Sequence, residues 1–467
     1  MKYKRFLTIY FLLLFSSIAP AQIPELWGTL SVGGSFGIGG IIKINGDGTG
    51  FANEYVCMGG AAGGSMQSNL LPVSSTLIYG NTVSGGLNAL GDIFSYNPAT
   101  NVYTMLYSMD SLSGYYPRGT VIKATNNKLY GLTNNGGTFN KGVLYSFDLS
   151  TSQYTKLHEF DGPSGQLPNG TVMQAANGKL YGMTTTGGQG GAGVIFSYDI
   201  STSTYAIVHD FNFTTGFSPF GNLMQGASGL LYGMAFGGGA TGNGVLFSFN
   251  TANNAHSVLH NFDGVNGSAP MGTVMENAGV FYGNTSQGGA NNKGVIFSFN
   301  PSSGTYTKLH DFAVTTGCTP FGNVMMASDG KLYGMTLNGG VNNLGAIFSY
   351  TLSSGVYTKI YDGSFPTGGL PYGDLIEYSG LTAINNPEAE NKMINFYPNP
   401  SNGNVTIDIA DFNESALLTI INPIGQKCLE VQLTAASTKL QLDLPTGVYF
   451  YAVVKSSGLF TGKILIN

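Results

Sequence analysis

A repeat of about 51 residues is the feature that most constrains how this chain can fold. The tripeptide Leu-Tyr-Gly, or a close variant, recurs six times, and Trp27-Gly28 takes its place at the start. The six tyrosines are Tyr79, Tyr130, Tyr181, Tyr232, Tyr282 and Tyr333. Successive steps are 52, 51, 51, 51, 50 and 51 residues. Self-similarity at a fixed period of this length is typical of solenoids and propellers.

Each repeat predicts four short antiparallel strands. Around Tyr181, residues 170–176 form a short apolar strand, and Asn177-Gly178 is a preferred hairpin dipeptide. Three more strands follow, and no segment shows sustained helical periodicity; they are residues 179–186, 193–199 and 205–211. Four strands per repeat suit a propeller blade, because neighbouring blades cover the apolar faces that one blade alone would expose.

The order of the strands predicts how the ring closes. First strands begin at Gly119, Gly170, Gly221, Gly272, Gly322 and Gly373, with Ser68 in the same register. The chain therefore starts at a second strand, at Trp27, and ends at a first strand, residues 373–378. We predict an all-β fold: a seven-bladed β-propeller of four-stranded blades, whose last strand completes the first blade and leaves no open edge.

One stretch resembles a phosphate-binding loop. Residues 188–193 match G-x-G-x-x-G, but the other repeats share only G-G-x-x-x-x-G, as in GGLNALG and GGVNNLG. A strand-like sequence follows each of them, whereas a dinucleotide loop needs the N-terminus of a helix to hold the phosphates. The glycines are therefore predicted to form turns.

The charge and the cysteines exclude other classes of site. The net charge is -5 and only 9% of residues are charged, so no electrostatic footprint for nucleic acid is present. Cys57, Cys318 and Cys428 lie far apart and form no C-x-x-C pair. Neither a zinc site nor a disulfide framework is indicated.

The histidines are predicted to pack rather than to bind metal. His158, His209, His260 and His310 share one position of the fourth strand, where other repeats have Tyr55, Tyr107 and Tyr361. Equivalent residues of neighbouring blades are too far apart to share a metal bound at about 2.1 Å. His256 stands at the aromatic position of its own repeat. His and Tyr share an apolar body with a polar tip, which suits packing.

No catalytic set or cofactor site can be assembled from the remaining motifs. Residues 45–50, NGDGTG, resemble a calcium loop but lack the further acidic ligands, so a turn between strands is predicted. No Ser-His-Asp or Cys-His set is apparent, and no cofactor or metal is expected. An enzyme is therefore disfavoured.

The N-terminus predicts export. Lys2, Lys4 and Arg5 precede the apolar residues 6–15, and Ala19-Pro20-Ala21 supplies small residues before a cleavage site. This layout is that of a signal peptide, residues 1–21. A membrane anchor is the alternative, but the apolar run is shorter than the ~20 residues that a spanning helix needs. No transmembrane segment is expected in the mature chain.

The repeat region, residues 22–380, resembles known families. Spaced aromatic pairs such as Tyr96/Tyr103 and Phe147/Tyr154 are similar to kelch repeats, with tyrosine in place of tryptophan. The pattern LYG-x-T-x-x-GG-x-x-x-x-G-x-[IL]-[FY]-S-[FY] more closely resembles the Gloeo/Verruco (GloVer) tandem repeat of secreted bacterial proteins. That resemblance implies no known activity.

A linker, residues 381–394, precedes a small C-terminal β unit, residues 395–467, whose alternating pattern suits a β-sandwich. The unit resembles the type A sorting domain of the type IX secretion system. The matching residues are Tyr397, Pro398, Asn399, Pro400, Gly425, Gly447, Tyr449 and Lys463. The resemblance implies the type IX secretion machinery as a partner. It also implies that the protein is secreted, extracellular or attached to the outer surface of a Bacteroidota-type cell.

The loop before each first strand is the candidate binding site. It carries Pro-x-Gly, and its middle residue varies while the neighbours repeat: Arg118, Asn169, Phe220, Met271, Phe321 and Tyr372. A variable position is not required for packing. We expect it near the mouth of the central channel, on the side that also carries the loops between second and third strands. Aromatic rings beside a polar groove suit sugar or peptide surfaces. The alternative is that these side chains cover the core.

Three functions remain open from the sequence. The leading one is a binding scaffold on the cell surface or outside the cell, with a glycan or protein ligand. The second is a secreted hydrolase or lyase that acts on polysaccharide, because propeller enzymes build sites from the loops of several blades. The third is a structural envelope protein.

Overall fold

Short antiparallel strands form almost all the regular structure in the computed structural model. It describes residues 23–378, 394–397, 401–409, 412, 415–422, 427–455 and 458–466. The one helical element among these residues is a 3-10 turn, Gly60–Ala62. The chain separates into two compact units, Met1–Ser379 and Gly380–Asn467. The predicted signal peptide and most of the predicted linker lie outside the described residues and stay predictions.

The first sheet joins the two ends of the repeat region. Sheet 1 contains β1 (Glu25–Leu30), β2 (Gly40–Asn45), β3 (Ala52–Val56) and β28 (Ile376–Glu377), in the order β28-β1-β2-β3. Leu26 pairs with Glu377 and Trp27 pairs with Ile376. The prediction that the last strand completes the sheet begun by the first three is confirmed.

Six more sheets use four consecutive strands each. Sheet 2 has β4 (Leu71–Ser74), β5 (Leu77–Thr82), β6 (Asp92–Asn97) and β7 (Val102–Ser108). Sheet 3 has β8 (Ile122–Lys123), β9 (Lys128–Thr133), β10 (Val143–Asp148) and β11 (Gln153–Glu159). Sheet 4 has β12 (Met173–Gln174), β13 (Leu180–Thr184), β14 (Val194–Asp199) and β15 (Thr204–Asp210).

The remaining three sheets follow the same plan. Sheet 5 has β16 (Met224–Gln225), β17 (Leu231–Ala235), β18 (Val245–Asn250) and β19 (Ala255–Asn261). Sheet 6 has β20 (Met275–Asn277), β21 (Val280–Thr285), β22 (Val295–Asn300) and β23 (Thr305–Asp311). Sheet 7 has β24 (Met325–Met326), β25 (Lys331–Thr336), β26 (Ala346–Thr351) and β27 (Val356–Asp362). Within residues 23–378 the structure thus has seven four-stranded sheets, the number that the predicted blades require.

The first strand of each sheet is shorter than the sequence predicted. Residues 170–176 were expected as a strand, but only Met173–Gln174 pairs with β13. The residues before it bond to the next sheet instead: the Thr171 N–H donates to Asn222 Oδ1 at 2.6 Å. The innermost backbone is therefore divided between its own sheet and its neighbour.

The glycine-rich loops form turns, as predicted. Gly193 has a φ of 101°, a conformation that only glycine adopts without strain. The strand β14 follows directly, so the phosphate-binding arrangement with a helix N-terminus does not form. Residues 45–50 also form a turn between strands, in which the Thr49 N–H donates to Asp47 Oδ1.

The core of the repeat region lies between neighbouring sheets. One cluster joins Tyr181 and Ile195 of sheet 4 to Leu231 and Phe247 of sheet 5, all fully or almost fully buried. Such clusters recur around the region, and each sheet buries its two faces against different neighbours. This packing explains why the third strands are rich in Ile and Phe on both faces.

Stacked ring pairs lie where the outermost strands of neighbouring sheets meet, with Phe51 directly before β3 and the other rings within those strands. They are Tyr55/Tyr103, Tyr107/Tyr154, His158/Tyr205, His209/His256, His260/Tyr306, His310/Tyr357 and Phe51/Tyr361. Centroid distances run from 3.6 Å for His158/Tyr205 to 4.7 Å for Tyr55/Tyr103. The prediction that the histidines pack structurally is confirmed. No pattern in the sequence indicates that His209 and His256 stack on each other.

The C-terminal unit consists of two sheets. One contains β29 (Ile394–Tyr397), β30 (Asn404–Ile409) and β33 (Ser437–Gln441). The other contains β31 (Ala416–Ile421), β32 (Lys427–Leu433), β34 (Gly447–Lys455) and β35 (Gly458–Ile466). A single apolar core, including Ile407, Leu418 and Val453, contains residues of both sheets, as the predicted sandwich requires.

The sorting-motif residues are only partly described. Tyr397 is exposed and its hydroxyl donates to Asp408 Oδ2 at 2.6 Å. Tyr449 is buried and its hydroxyl donates to the Pro445 carbonyl at 2.9 Å. Gly447 begins β34, and Lys463 lies in β35. Pro398, Asn399, Pro400 and Gly425 lie outside the described residues.

Candidate ligand-binding site

Hydrogen bonds link the seven sheets in a circle at the start of their first strands. We call the residues that carry them the inner ring: Asn69, Thr120, Thr171, Asn222, Thr273, Asn323 and Asp374. In six of the seven steps a backbone N–H of one sheet donates to the side-chain oxygen of the next, at 2.5 to 2.8 Å. The exception lies between Asn222 and Thr273, whose Oγ1 has no hydrogen-bond partner among the described residues.

Asp374 provides the only carboxylate of the inner ring. Its Oδ1 accepts from the Asn323 N–H at 2.5 Å, and its Oδ2 accepts from the side-chain amides of Asn69 and Asn323. Burial raises the pKa of this carboxyl, while the hydrogen bonds from Asn323 and Asn69 oppose that rise. Both oxygens are thus committed to holding sheets 7, 1 and 2 together.

The glycines beside the inner ring make the channel narrow. A Cβ on Gly119 would lie 2.1 Å from the Gly170 carbonyl oxygen, and one on Gly221 would lie 2.1 Å from the Gly272 carbonyl oxygen. No side chain fits at these points, because the backbones of neighbouring sheets already touch. The repeated glycine is therefore a requirement of how the sheets converge.

The variable residues of the Pro-x-Gly loops meet above the inner ring. We call them the mouth residues: Gln67, Arg118, Asn169, Phe220, Met271, Phe321 and Tyr372, which all line one cavity. Six of them were predicted from the sequence. Gln67 was missed because its loop reads Met-Gln-Ser, although Ser68 was already placed in the glycine register.

The loops of this face lie together as predicted. Gln166 lies in the loop that precedes β12, and it pairs with Thr186 in the loop between β13 and β14. The Gly188 N–H also donates to the Gly162 carbonyl at 2.9 Å. The loop that precedes a first strand and the loop between second and third strands therefore lie on the same side of the propeller.

The mouth is divided into a polar and an apolar arc. The inner-ring bonds fix the order of the sheets, so Gln67, Arg118 and Asn169 are neighbours on sheets 2, 3 and 4. Sheets 5 and 6 adjoin where Gly221 approaches Gly272. The other four are therefore neighbours on sheets 5, 6, 7 and 1: Phe220, Met271, Phe321 and Tyr372. The mouth thus has polar side chains on one side and apolar side chains on the other.

The arcs differ in how their side chains are held. Phe321 lies against Tyr372 with centroids 5.2 Å apart and an angle of 69° between the rings. Asn169 Oδ1 accepts from the Asn134 side-chain amide at 3.1 Å. Arg118 is exposed, and its guanidinium has no hydrogen-bond or ion-pair partner among the described residues. The guanidinium of Arg118 is therefore exposed and uncommitted in the described part of the chain.

The space beneath the mouth is small. The cavity has a volume of about 60 Å³. This is far less than the ~300–1,000 Å³ of pockets that enclose small molecules. A wider cavity of about 740 Å³ is lined by residues that follow the inner ring along the first strands, including Met224, Met275 and Met325. Asn323 and Asp374 line both cavities.

Titratable groups elsewhere form no metal cluster among the described residues. Asp92 of β6 is fully buried, and burial raises its pKa to about 6. The Tyr103 hydroxyl donates to its Oδ1 at 2.7 Å, while its Oδ2 has no partner in the described part of the chain. Asp92 does not line the mouth. The described residues also contain no helix with the length and apolar character needed to cross a membrane.

Comparison with protein families identifies both parts of the chain. The Gloeobacter/Verrucomicrobia repeat matches residues 17–190 and 168–386, which together cover most of the sequence. The chain belongs to the Gloeobacter/Verrucomicrobia repeat family. A secretion system C-terminal sorting domain matches residues 395–467. Because it carries this sorting domain, the protein is exported by the type IX system and associates with the cell surface.

Several solved structures are similar to this repeat-family protein. TolB from Acinetobacter baumannii is 12% identical, with 61% of this chain and 63% of that chain covered, at a TM-score of 0.39. PorZ, a surface component of the type-IX secretion system of Porphyromonas gingivalis, is 13% identical, with 92% and 63% covered, at a TM-score of 0.42. This chain thus spans less than two thirds of either one.

A puromycin-hydrolyzing peptidase of Mycobacterium tuberculosis is 8% identical to this chain, with 83% of this chain and 58% of that chain covered, at a TM-score of 0.49. At these identities and scores none of the three supports an inference about activity or ligand. No curated protein matches the sequence.

Proposed function

We propose that this exported propeller is a binding scaffold whose ligand, a glycan or a protein, contacts the mouth residues. The observation that carries the proposal is the convergence of seven side chains, each from a different sheet, on one cavity. Their positions in the repeat are equivalent, but their identities differ. The fold therefore fixes where the side chains lie and leaves their chemistry free.

The other lining positions behave differently. In six of the seven loops Pro precedes and Gly follows the mouth residue. The glycine must let the neighbouring backbone approach, and the side chain after it closes a hydrogen bond. The wider cavity is lined by first-strand methionines that also recur, including Met224, Met275 and Met325. Repetition reflects the demands of the fold, whereas variation at the mouth favours recognition of a ligand.

The chemistry of the mouth favours binding over hydrolysis. Glycoside hydrolysis commonly uses two carboxyl groups that flank the bond to be cleaved. Among the described residues that line the mouth cavity, one has a carboxylate, Asp374. Both of its oxygens already accept hydrogen bonds, which come from Asn69 and Asn323. Aromatic and apolar side chains with one free cation suit the surface of a ligand.

The proposal is tested by screening the purified full chain on glycan and peptide arrays, beside the Phe321→Ala, Tyr372→Ala double variant. The ligand that the wild type binds is expected to be lost by the variant. The melting temperature should fall by only a few degrees, at about 2–4 °C per kcal/mol, because both side chains are half-buried rather than part of the core.

The matched control replaces two aromatic residues outside the mouth. Phe213 and Phe365 are 74% and 68% exposed, lie on loops of the same face, and do not line the cavity. Phe213→Ala with Phe365→Ala should leave binding unchanged. Loss of binding in this control but not in the mouth variant would contradict the proposal, as would a mouth variant that unfolds while each folded molecule still binds.

A further inference from the structure

The mouth contains the one arginine outside the N-terminal segment. The chain has two arginines, Arg5 and Arg118; its other permanently cationic side chains are lysines. Several of those lysines pair with carboxylates, as Lys128 does with Asp148 and Lys308 with Asp311. Arg118 has no such partner in the described part of the chain. An unpaired guanidinium thus stands at the point where all seven sheets converge.

Arginine and lysine recognise different chemistry. The guanidinium presents a planar fork of donors that matches the two oxygens of a carboxylate, whereas an ammonium acts as a point charge. Gln67, the neighbour of Arg118 on the polar arc, adds an amide with no hydrogen-bond partner of its own in the described residues. The polar arc therefore suits an anionic group with two oxygens in one plane.

The apolar arc suits an aliphatic or aromatic side chain better than a sugar. Phe220, Met271 and Phe321 offer no hydrogen-bond donors for hydroxyl groups. The rings lie edge-to-face, at 69° for Phe321/Tyr372 and also 69° for Phe220/Phe236, so part of their surface is already covered. A methionine thioether adapts to apolar side chains of varied shape.

The cavity beneath the mouth is large enough only for the terminal group of a ligand. The ~60 Å³ beneath the mouth and the glycine backbones around it leave room for a terminal group but not for a sugar ring. A chain end fits this limit, because its last residue carries a carboxylate and a side chain on the same Cα. These two groups can reach the two arcs at once.

We propose that the mouth binds the C-terminal end of a peptide whose last side chain is apolar. The terminal carboxylate pairs with the Arg118 guanidinium beside the Gln67 amide, and the last side chain lies on Phe220, Met271, Phe321 and Tyr372. This inference rests on the proposed binding function, and it names the ligand class of that same site.

The test uses fluorescein-labelled peptides of sequence Gly-Ser-Gly-Ser-Gly-Phe with the full chain, and the readout is fluorescence polarisation. One peptide ends in a free carboxylate, a second in an amide, and a third has Ser in place of Phe. The free acid should bind at least about tenfold more tightly than the amide, as loss of a charge-assisted pair implies. The Ser peptide should bind more weakly than the Phe peptide.

Variants locate the two contacts. Arg118→Gln should bring the affinity for the acid down to that for the amide, and Arg118→Lys should restore only part of the difference. Phe321→Ala should lower the affinity for the Phe peptide without changing the affinity for the Ser peptide. Lys123→Gln removes an exposed charge from β8, outside the mouth cavity, and should change neither affinity.

Other outcomes separate this inference from the function on which it rests. Equal affinity for acid and amide, or an acid preference that survives Arg118→Gln, overturns the inference. Absence of peptide binding overturns it as well. If an oligoglucuronate binds instead and Arg118→Gln abolishes that binding, the peptide inference fails and the binding function of the mouth stands.

Discussion

Asp374 and Asn69 are 305 positions apart in the sequence, and they hold each other through two hydrogen bonds. The Asn69 side-chain amide donates to Asp374 Oδ2 at 2.5 Å, and the Asp374 N–H donates to Asn69 Oδ1 at 2.6 Å. Together with the pairing of β28 and β1, these bonds join the last strand of the repeat region to its first sheets. The closing strand therefore stabilises the whole ring rather than one end of it.

Removing residues 371–378 should lower the melting temperature of the propeller and broaden its transition. The deletion removes Asp374 with its hydrogen bonds, and it exposes the edge of β1 that β28 covers. Differential scanning calorimetry measures both effects. The control is deletion of residues 395–467, which leaves all seven sheets intact. An unchanged transition in the first deletion would refute the role of the closing strand.

Asp92→Asn should stabilise the protein at pH 8. The folded-state pKa of about 6 lies above the ~4 of an unfolded chain, so the native state takes up a proton as the pH falls from ~6 to ~4. The charged form therefore costs up to about 3 kcal/mol above pH 6, and that cost disappears below pH 4. Asparagine removes the charge and its Oδ1 still accepts from Tyr103, but its amide N–H groups take the Oδ2 position, where no partner lies among the described residues, so the net gain is smaller than this cost.

Urea unfolding of wild type and Asp92→Asn at pH 8 and pH 4 measures the difference. The stabilisation should be present at pH 8 and largely absent at pH 4. A variant that is less stable than the wild type at pH 8 would show that the carboxylate is compensated by contacts beyond Tyr103. Asp47→Asn is the control, because Asp47 lies in an exposed turn.

The stacked histidines should make the propeller sensitive to acid. Burial lowers the pKa of His209, and burial together with the neighbouring His209 lowers that of His256 to about 3. Because these values lie below the ~6.5 of an unfolded chain, the unfolded state binds more protons, and stability falls as the pH drops from ~6.5 towards ~3.

Replacing the pair by tyrosines tests this dependence. The equivalent pair Tyr107/Tyr154 shows that tyrosine fits both positions. The His209→Tyr, His256→Tyr variant should be as stable as the wild type at pH 8. Between pH 7 and pH 4 its free energy of unfolding, measured with urea, should fall by less than that of the wild type. If both proteins lose stability equally over that range, the histidine pair does not contribute to the acid sensitivity.

Deletion of residues 395–467 should leave a folded propeller in the periplasm. The sorting domain lies in this segment, and the two compact units divide just before it. Cell fractionation and proteinase K treatment of intact cells locate the protein, with the full chain as the control. Protease-accessible truncated protein at the cell surface would show that another segment directs export.

The sequence predicted the strands and their closure because the same local pattern is repeated. Each G-G-x-x-x-x-G loop meets the same positive-φ requirement, and each Leu-Tyr-Gly segment packs in the same way, so a repeat unit could be parsed by comparison with its siblings. Four of the five histidines were placed correctly for the same reason, because they share a register with Tyr55 and Tyr107, whereas His256 shares that of Tyr154.

Specific contacts across sheet boundaries could not be predicted. Asp374 bonds to Asn69 only because the sheets form a circle, and no local pattern in either loop indicates the partner. His256 stacks on His209 because two different strand positions meet across a sheet boundary. Gln67 lines the mouth cavity although its loop lacks the Pro-x-Gly pattern. Its place is decided by the backbone register that it shares with the other mouth residues, and not by the sequence of the loop.

The central claim is that a ligand contacts the mouth, and amide hydrogen exchange of the full chain with a bound array ligand tests it most directly. We expect protection at several mouth loops, around Arg118, Phe220, Phe321 and Tyr372, because one ligand there spans more than one sheet. The Phe321→Ala, Tyr372→Ala variant should show no such protection. Protection confined to the first-strand hairpins beyond the inner ring, around Asn126 and Asn177, would contradict the account.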